Sequence, residues 1–277
     1  MFKDNFDIHK VNTRKLIRTV RGSMKKALFY LGAGIPYHYI DNLVTINPDD
    51  LKTIQDKKIK KIINIDAKIR YCDDILDNEL AKQNPRPVRK MKETIDKFEE
   101  QVPEAREVAN LFRCEMELLD TRLDGGRLKE KIKNLIEIRP NDYFVLVNII
   151  VDFFGSRLSS KDYKKSFEFY QEFQRLRDLF DDIMSIEEDI LKKDYNSVVL
   201  AKMNGVPASF FEEIIKTKFI NLDEIASEID KHPYKNIFQE TIKFWVDEYN
   251  LLFKKLLIDY YVNIEQFGKS YFMIKQL

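Results

Sequence analysis

Glycine and proline are scarce in this sequence, with 8 residues of each in a chain of 277. Average usage is roughly 7 and 5 per cent. Sandwiches and barrels need many tight turns, which these two residues supply. The scarcity therefore predicts long helices, and 44% hydrophobic residues are enough to give them a core. Because we find no internal repeat and no long linker, we expect one all-α domain, a helical bundle of eight to ten helices.

Charge and composition exclude several classes of protein. The 47 Lys plus Arg residues nearly balance the 46 Asp plus Glu residues, so nothing attracts the chain as a whole to nucleic acid or an anionic membrane. Two cysteines and three histidines are too few for most zinc sites or for a disulfide framework. No run of 18 apolar residues occurs, and the first residues lack an apolar signal core. We expect a soluble, cytoplasmic protein.

The few prolines, glycines and capping residues predict where helices begin and end. The run YFVLVNIIVDFF (143–154) has the composition of a strand. No alternating partner strand lies nearby, so we expect a buried helix. The other predicted helices run from 46–53 to about 80, over about 91–123, 127–138 and 161–195, and then in segments separated by NGVP (204–207) and HPY (232–234).

The first candidate site is Asp73-Asp74-Ile75-Leu76-Asp77. Asp73 and Asp77 stand four residues apart, on one face of the predicted helix. Like charges at this spacing repel each other unless a cation lies between them, and carboxylate oxygens are ligands that Mg²⁺ prefers. The alternative interpretation is a solvated acidic face in a highly charged protein.

The second candidate site lies about a hundred residues later. Asp181, Ser185 and Asp189 follow one another at four-residue intervals and offer oxygen ligands in a line along one helix. Lys192 comes next, where it could meet the negative charge of a metal-bound phosphate. The alternative is a surface helix with internal ion pairs such as Glu188 with Lys192.

Together the two clusters resemble the metal-binding motifs of class I terpene synthases, the aspartate-rich DDxxD and the NSE/DTE triad. The triad here has Asp181 in place of the usual Asn and Asp189 in place of the usual Glu. Glu188 departs from the pattern, since many microbial members have Lys there. The segment Arg139-Pro140-Asn141-Asp142-Tyr143 is similar to the diphosphate-sensing arginine segment of those enzymes; alone, it would be interpreted as a helix junction with a capping Asp.

The resemblance covers roughly residues 60–200. It implies that residues 1–277 form a single antiparallel helical bundle of the class I terpenoid synthase type, with a central active-site cavity. Three Mg²⁺ ions and the substrate diphosphate would be bound in that cavity. A homodimer is common in the family. The Arg-Tyr pair found near the carboxyl terminus of many members is missing, because Asp259 precedes Tyr260-Tyr261.

In this family a linear prenyl diphosphate, with farnesyl or geranylgeranyl diphosphate expected, loses pyrophosphate and becomes a terpene hydrocarbon or alcohol in isoprenoid biosynthesis. For this chain the resemblance implies metal binding by Asp73, Asp77, Asp181, Ser185 and Asp189. It implies that ionisation is triggered by Arg139, Asp142 and Tyr143, and that the diphosphate is bound by Arg139, Lys192 and Arg86. The cavity would be lined by Phe153, Phe154, Phe173 and Phe180.

Three alternatives stay open. A trans-isoprenyl diphosphate synthase has the same fold and elongates its substrate with isopentenyl diphosphate. Lys25 and Lys26 lie where such enzymes bind that second substrate, but the accompanying glycine pair is missing and Ser185 interrupts the second DDxxD. A squalene or phytoene synthase relative is the second alternative. A non-catalytic helical homologue is the third.

Overall fold

The computed structural model describes residues 13–40, 56–81, 87–118, 125–192 and 196–259. Over these ranges the regular structure is helical, and the β-structure consists of one isolated bridge between Ala33 and Ser156. This confirms the predicted all-α class. No helix in the described ranges combines the length and the apolar character needed to cross a membrane.

The helices are named here in chain order. They are α1 (Thr13–Leu31), α2 (Lys57–Ala81), α3 (Pro87–Gln101), α4 (Arg106–Leu118), α5 (Gly125–Ile138), α6 (Asn141–Phe154), α7 (Ser160–Met184), α8 (Ile186–Lys192), α9 (Ser197–Met203), α10 (Ala208–Ser227) and α11 (Lys235–Glu248). A 3₁₀ turn (Pro103–Ala105) precedes α4, and a π-helical turn (Tyr249–Phe253) follows α11.

Several predicted boundaries are confirmed. The apolar run forms the helix α6, with eight buried residues, and Gly155 ends it with a positive φ of 73° that a side chain would resist. Ser159 caps α7 by accepting a hydrogen bond from the Asp162 amide. The predicted helix start at 46–53 lies outside the described residues.

Two predicted helices are divided in the structure. The helix expected over about 91–123 is two helices, α3 and α4, because Pro103 can neither donate to the helical ladder nor fit inside it. The helix expected over about 161–195 is interrupted at Ser185, which separates α7 from α8. The amide of Ser185 still donates to Asp181, and that of Asp189 to Ser185, so the three residues keep their helical spacing.

α6 is central to the bundle and packs against α1, α2 and α4. The ends of α1 and α6 are joined by backbone hydrogen bonds from Gly34 to Gly155 and from Arg157 to Gly32. The Ser156 hydroxyl also donates to the Leu31 carbonyl. We call this connection, residues 31–34 with 155–157, the rear junction. Because both helices end there, they run in the same direction.

Candidate functional site

A cavity of about 300 Å³ lies at the opposite end of α1 and α6 from the rear junction. Its lining comes from α1, α2, α4, α6, α7 and α8, together with Arg139 just before α6. The lining residues are Lys15, Ile69, Arg70, Asp73, Leu111, Phe112, Glu115, Arg139, Asp142, Tyr143, Arg177, Asp178, Asp181 and Asp189. Six of them were singled out in the sequence: Asp73, Arg139, Asp142, Tyr143, Asp181 and Asp189. The fold therefore brings three separate segments of the chain to one cavity.

The first acidic cluster divides between the cavity and solvent. Asp73 lines the cavity, whereas Asp74 is exposed and does not. Burial raises the pKa of Asp73, and the guanidinium of Arg70 opposes that rise. Asp77 follows one turn later in α2, but its side chain lies outside what the structure describes.

The second acidic cluster is held by hydrogen bonds at the junction of α7 and α8. The Ser185 hydroxyl donates to Oδ2 of Asp189 at 2.5 Å, and Nδ2 of Asn196 donates to the same oxygen at 2.8 Å. Asn196 also caps α9, accepting from the amides of Val198 and Val199. The cap of one helix thereby fixes the orientation of a candidate ligand on another. Asp181 lies at the exposed mouth of the cavity.

Arg139 is fixed by a buried carboxylate. Its Nη1 donates to Oδ2 of Asp182 at 2.6 Å, and only 2% of the Asp182 side chain is exposed. The amide and the hydroxyl of Ser197 donate to the same oxygen. Asp182 therefore fixes the position of Arg139, whereas Asp181, the residue before Asp182, lines the cavity.

Arg70 connects α2 with the start of α6. Its Nη2 donates to Oδ2 of Asp142 at 2.9 Å, and its Nε lies 3.4 Å from Oδ1 of the fully buried Asp66. The segment predicted to sense diphosphate is thus fixed on both sides, by Arg70 at Asp142 and by Asp182 at Arg139. Arg70 therefore links α2, which bears Asp73, to this segment.

Three cations surround the ring of Tyr143. Nζ of Lys26 lies 4.5 Å from the ring centroid, and the guanidinium carbons of Arg70 and Arg177 lie at 5.7 and 5.8 Å. These distances are within the range of cation–π attraction. Burial, and next the charge of Asp142, raise the pKa of Tyr143 to about 12. The Tyr143 ring therefore stabilises cations of the protein itself.

Lys26 is connected to the cavity through Gln174. Its ammonium donates to Oε1 of Gln174 at 2.5 Å, and Nε2 of Gln174 donates to Asp178 at 2.7 Å. Burial, followed by the charge of Arg177, lowers the pKa of Lys26 to about 7. Burial, followed by the charge of Asp142, raises the pKa of Asp178 to about 7. Asp178 in the cavity lining and Lys26 behind Gln174 therefore both have pKa values shifted towards neutrality.

The other residues proposed from the sequence lie apart from this cavity lining or outside the description. Lys192 pairs with Glu188 on the surface of α8, which is the ion pair that the sequence offered as an alternative. Arg86 lies outside the described residues.

The four phenylalanines expected to line the cavity also lie elsewhere. Phe153 and Phe154 are near the rear junction, where Lys61 and Lys58 lie over their rings. Phe173 and Phe180 pack against Trp245 in an aromatic cluster with Tyr249 and Phe253. Phe180 is 1% exposed and stacks on Phe253 at 4.2 Å. The apolar part of the cavity lining is instead Ile69, Leu111 and Phe112.

Sequence reasoning missed three of the four cations and two of the six acids that line the cavity. Arg70 precedes Asp73 by three residues, and Arg177 and Asp178 precede Asp181 by four and three. That spacing places them on the same helical faces as the predicted ligands, so a projection of each helix could have found them. Lys15 and Glu115 had no such signal, because they belong to other helices.

The donor set of the cavity fits Mg²⁺ in its chemistry, since carboxylate oxygens are ligands that this ion prefers. Asp73 reaches the cavity from α2, Asp181 from α7 and Asp189 from α8. Among the described residues, no three His, Cys, Asp or Glu side chains are grouped closely enough to hold one metal ion. Mg²⁺ usually binds proteins through one or two carboxylates together with substrate phosphates.

The buried charges predict a pH dependence of stability. Burial raises the pKa of Asp66 to about 7, as it does for Asp178, so both bind protons more tightly in the folded chain. The free energy of unfolding should therefore fall as pH rises from about 4 to 7. Lys26, with its pKa lowered to about 7, should make it rise again from pH 7 towards 10.5. Urea unfolding at a series of pH values measures this.

Asp66→Asn tests the acidic part of that profile. It should flatten the decline between pH 4 and 7 by up to about 1.4 kcal/mol per pH unit, the slope that one proton contributes. Asp223→Asn, at an exposed position of α10, is the matched control and should leave the slope unchanged. An unchanged slope in Asp66→Asn would show that Asp66 is ionised in the folded chain.

Comparison of the chain with protein-family models, with curated proteins and with solved structures finds no match in any of the three.

Proposed function

We propose that this protein is a Mg²⁺-dependent class I terpene synthase that ionises a linear prenyl diphosphate and releases pyrophosphate. One observation carries the proposal. Carboxylates from two acidic clusters, about a hundred residues apart in the chain, line a single cavity with Arg139. A solvated acidic face would not require Asp73 and Asp181 to line one cavity, whereas the binding of one diphosphate by both would.

The cavity offers the groups that this reaction needs. Lys15, Arg70, Arg139 and Arg177 line it and supply positive charge for a diphosphate. Charge develops on the leaving pyrophosphate, so these fixed cations stabilise the transition state more than the ground state. Asp73, Asp181 and Asp189 would hold Mg²⁺ together with the phosphate oxygens, with three ions expected from the family resemblance. When bound, Mg²⁺ acts as a Lewis acid on the leaving group.

Orientation of Arg139 is the second requirement. The guanidinium of Arg139 must lie close to the diphosphate when the ester bond of the substrate breaks. The ion pair with the buried Asp182 fixes the guanidinium before the substrate binds. Such preorganisation avoids a cost of reorientation at the moment of reaction. Asp142, which is fixed by Arg70, gives the same segment a second attachment.

The structure of α1 favours a synthase over the elongating alternative. An elongase would use Lys25 and Lys26 to bind the diphosphate of a second substrate. The ammonium of Lys26 is instead directed inward, to Gln174 and over the Tyr143 ring. Lys25 is exposed.

The test is incubation of the purified protein with Mg²⁺ and dimethylallyl, geranyl, farnesyl or geranylgeranyl diphosphate, each with and without isopentenyl diphosphate. We expect pyrophosphate release and an organic product without isopentenyl diphosphate, and neither with EDTA. Longer diphosphates that form only with isopentenyl diphosphate would make the protein an elongase. No reaction in any mixture, and no thermal shift with Mg²⁺ plus pyrophosphate, would favour the non-catalytic homologue.

A further inference from the structure

The apolar part of the cavity is small and lies one helical turn below the acidic mouth. Ile69 precedes Asp73 by four residues on α2, and Leu111 precedes Glu115 by four on α4. Each pair therefore places a residue with a carboxylate about 6 Å further along the helix axis than a residue with an apolar side chain. A substrate with its diphosphate at the mouth would extend its hydrocarbon chain towards Ile69, Leu111 and the neighbouring Phe112.

The cavity is closed beyond that apolar layer. Phe112 is 3% exposed, and its ring packs edge-to-face on Phe98, with the centroids 5.6 Å apart. Phe98 is itself fully buried. One turn further on, Ile65 and Val108 are buried in the core and do not line the cavity. Another part of the cavity lining is charged, since Arg70 and Asp142 form an ion pair there.

The volume of the cavity limits the length of the hydrocarbon chain. A cavity of about 150 Å³ is known to hold benzene, which is roughly 25 Å³ per carbon atom. On that basis a ten-carbon chain needs about 250 Å³ and a fifteen-carbon chain about 375 Å³. The cavity measures about 300 Å³. A fifteen-carbon chain would exceed it even if the whole diphosphate lay outside.

We infer that the substrate is a prenyl diphosphate of ten carbons or fewer, and that the Phe112 ring sets this limit. The inference rests on the proposed function and replaces the farnesyl and geranylgeranyl diphosphates expected from the sequence. Removing the six-carbon ring would add about 150 Å³ on the same scale, enough for a fifteen-carbon chain. Phe112 is thus a determinant of specificity and takes no part in the chemistry.

Binding of unreactive analogues tests this without depending on turnover. Geranyl and farnesyl S-thiolodiphosphates have sulfur in place of the bridging ester oxygen, which prevents ionisation. Their dissociation constants are measured by calorimetry with Mg²⁺ present. We expect the wild-type protein to bind the geranyl analogue at least tenfold more tightly. In Phe112→Ala the preference should fall below threefold or reverse, and Phe112→Leu, which keeps more of the packing, should change it in the same direction.

Phe211→Ala is the matched control. Phe211 is a fully buried ring on α10 that does not line the cavity, so its loss should leave the length preference unchanged. Tighter binding of the farnesyl analogue by the wild-type protein would overturn the inference and leave the proposed function intact. An unchanged preference in both folded Phe112 variants would remove the role of Phe112. Failure of the wild-type protein to bind either analogue would overturn both the inference and the proposed function.

Discussion

Asp73→Asn and Asp181→Asn are each expected to reduce pyrophosphate release by at least a factor of about a hundred, the scale of losing one electrostatic contact in a transition state. Asparagine keeps the shape of aspartate but not its charge, so it would hold Mg²⁺ poorly. Neither change should unfold the protein. Burial already raises the pKa of Asp73, so the folded chain disfavours the charge that is removed there. Steady-state release of pyrophosphate, with circular dichroism of each variant, measures both effects.

The controls are neighbouring carboxylates. Asp74→Asn changes the next residue of α2, which is exposed and does not line the cavity. Glu187→Gln changes an exposed carboxylate of α8 near the second cluster. Both should keep turnover within a factor of about two. Full turnover in Asp73→Asn or Asp181→Asn would remove the metal-binding role of these clusters, and with it the proposed function.

Arg139→Met should lower both stability and turnover. The family resemblance implied a role for Arg139 in triggering ionisation. In the structure, however, Arg139 pairs with Asp182, a side chain that is 2% exposed. Removing the guanidinium, which is 24% exposed, leaves the buried carboxylate without its ionic partner, and we expect a cost of about 3 kcal/mol, the lower end of the range for buried pairs. Urea unfolding measures this cost, and pyrophosphate release measures the loss of turnover, expected to be at least about a hundredfold.

The double variant Arg139→Met with Asp182→Asn separates the two effects. It removes both charges, and Ser197 can still bond to the asparagine, so most of the lost stability should return. Turnover should stay low because the guanidinium itself is missing. If turnover returned together with stability, Arg139 would act only by supporting the fold.

Much of the fold follows from local patterns in the sequence. Gly155, Ser159 and the NGVP segment end or begin helices as expected, because each supplies a backbone conformation or a capping group that a helix interior cannot use. Pro103 is an equally local signal for a helix end, although we predicted one continuous helix across it from the sequence. The interruption at Ser185 has no such local signal; the Ser185 hydroxyl donates there to Asp189, which also accepts a hydrogen bond from Asn196.

The candidate site was only partly accessible from the sequence. Periodicity relates residues of one helix, so it found Asp73, Asp181 and Asp189. It cannot place Lys15 of α1 or Glu115 of α4 beside them, because that depends on how helices pack. The same limit explains why Phe173 and Phe180 were wrongly expected to line the cavity. A buried ring has the same periodicity whether it faces a cavity or, as here, packs on Trp245.

The rear junction also determines how the cavity can move. Residues 31–34 and 155–157 join α1 and α6 through the backbone at one end, while Lys15 and Tyr143 line the cavity towards the other. Because these backbone bonds hold the two helices together at that end, we expect any motion of α1 relative to α6 to pivot at the rear junction and to be largest at the mouth of the cavity. A ligand that contacts both helices at the mouth would therefore restrict this motion more than a ligand bound near the rear junction.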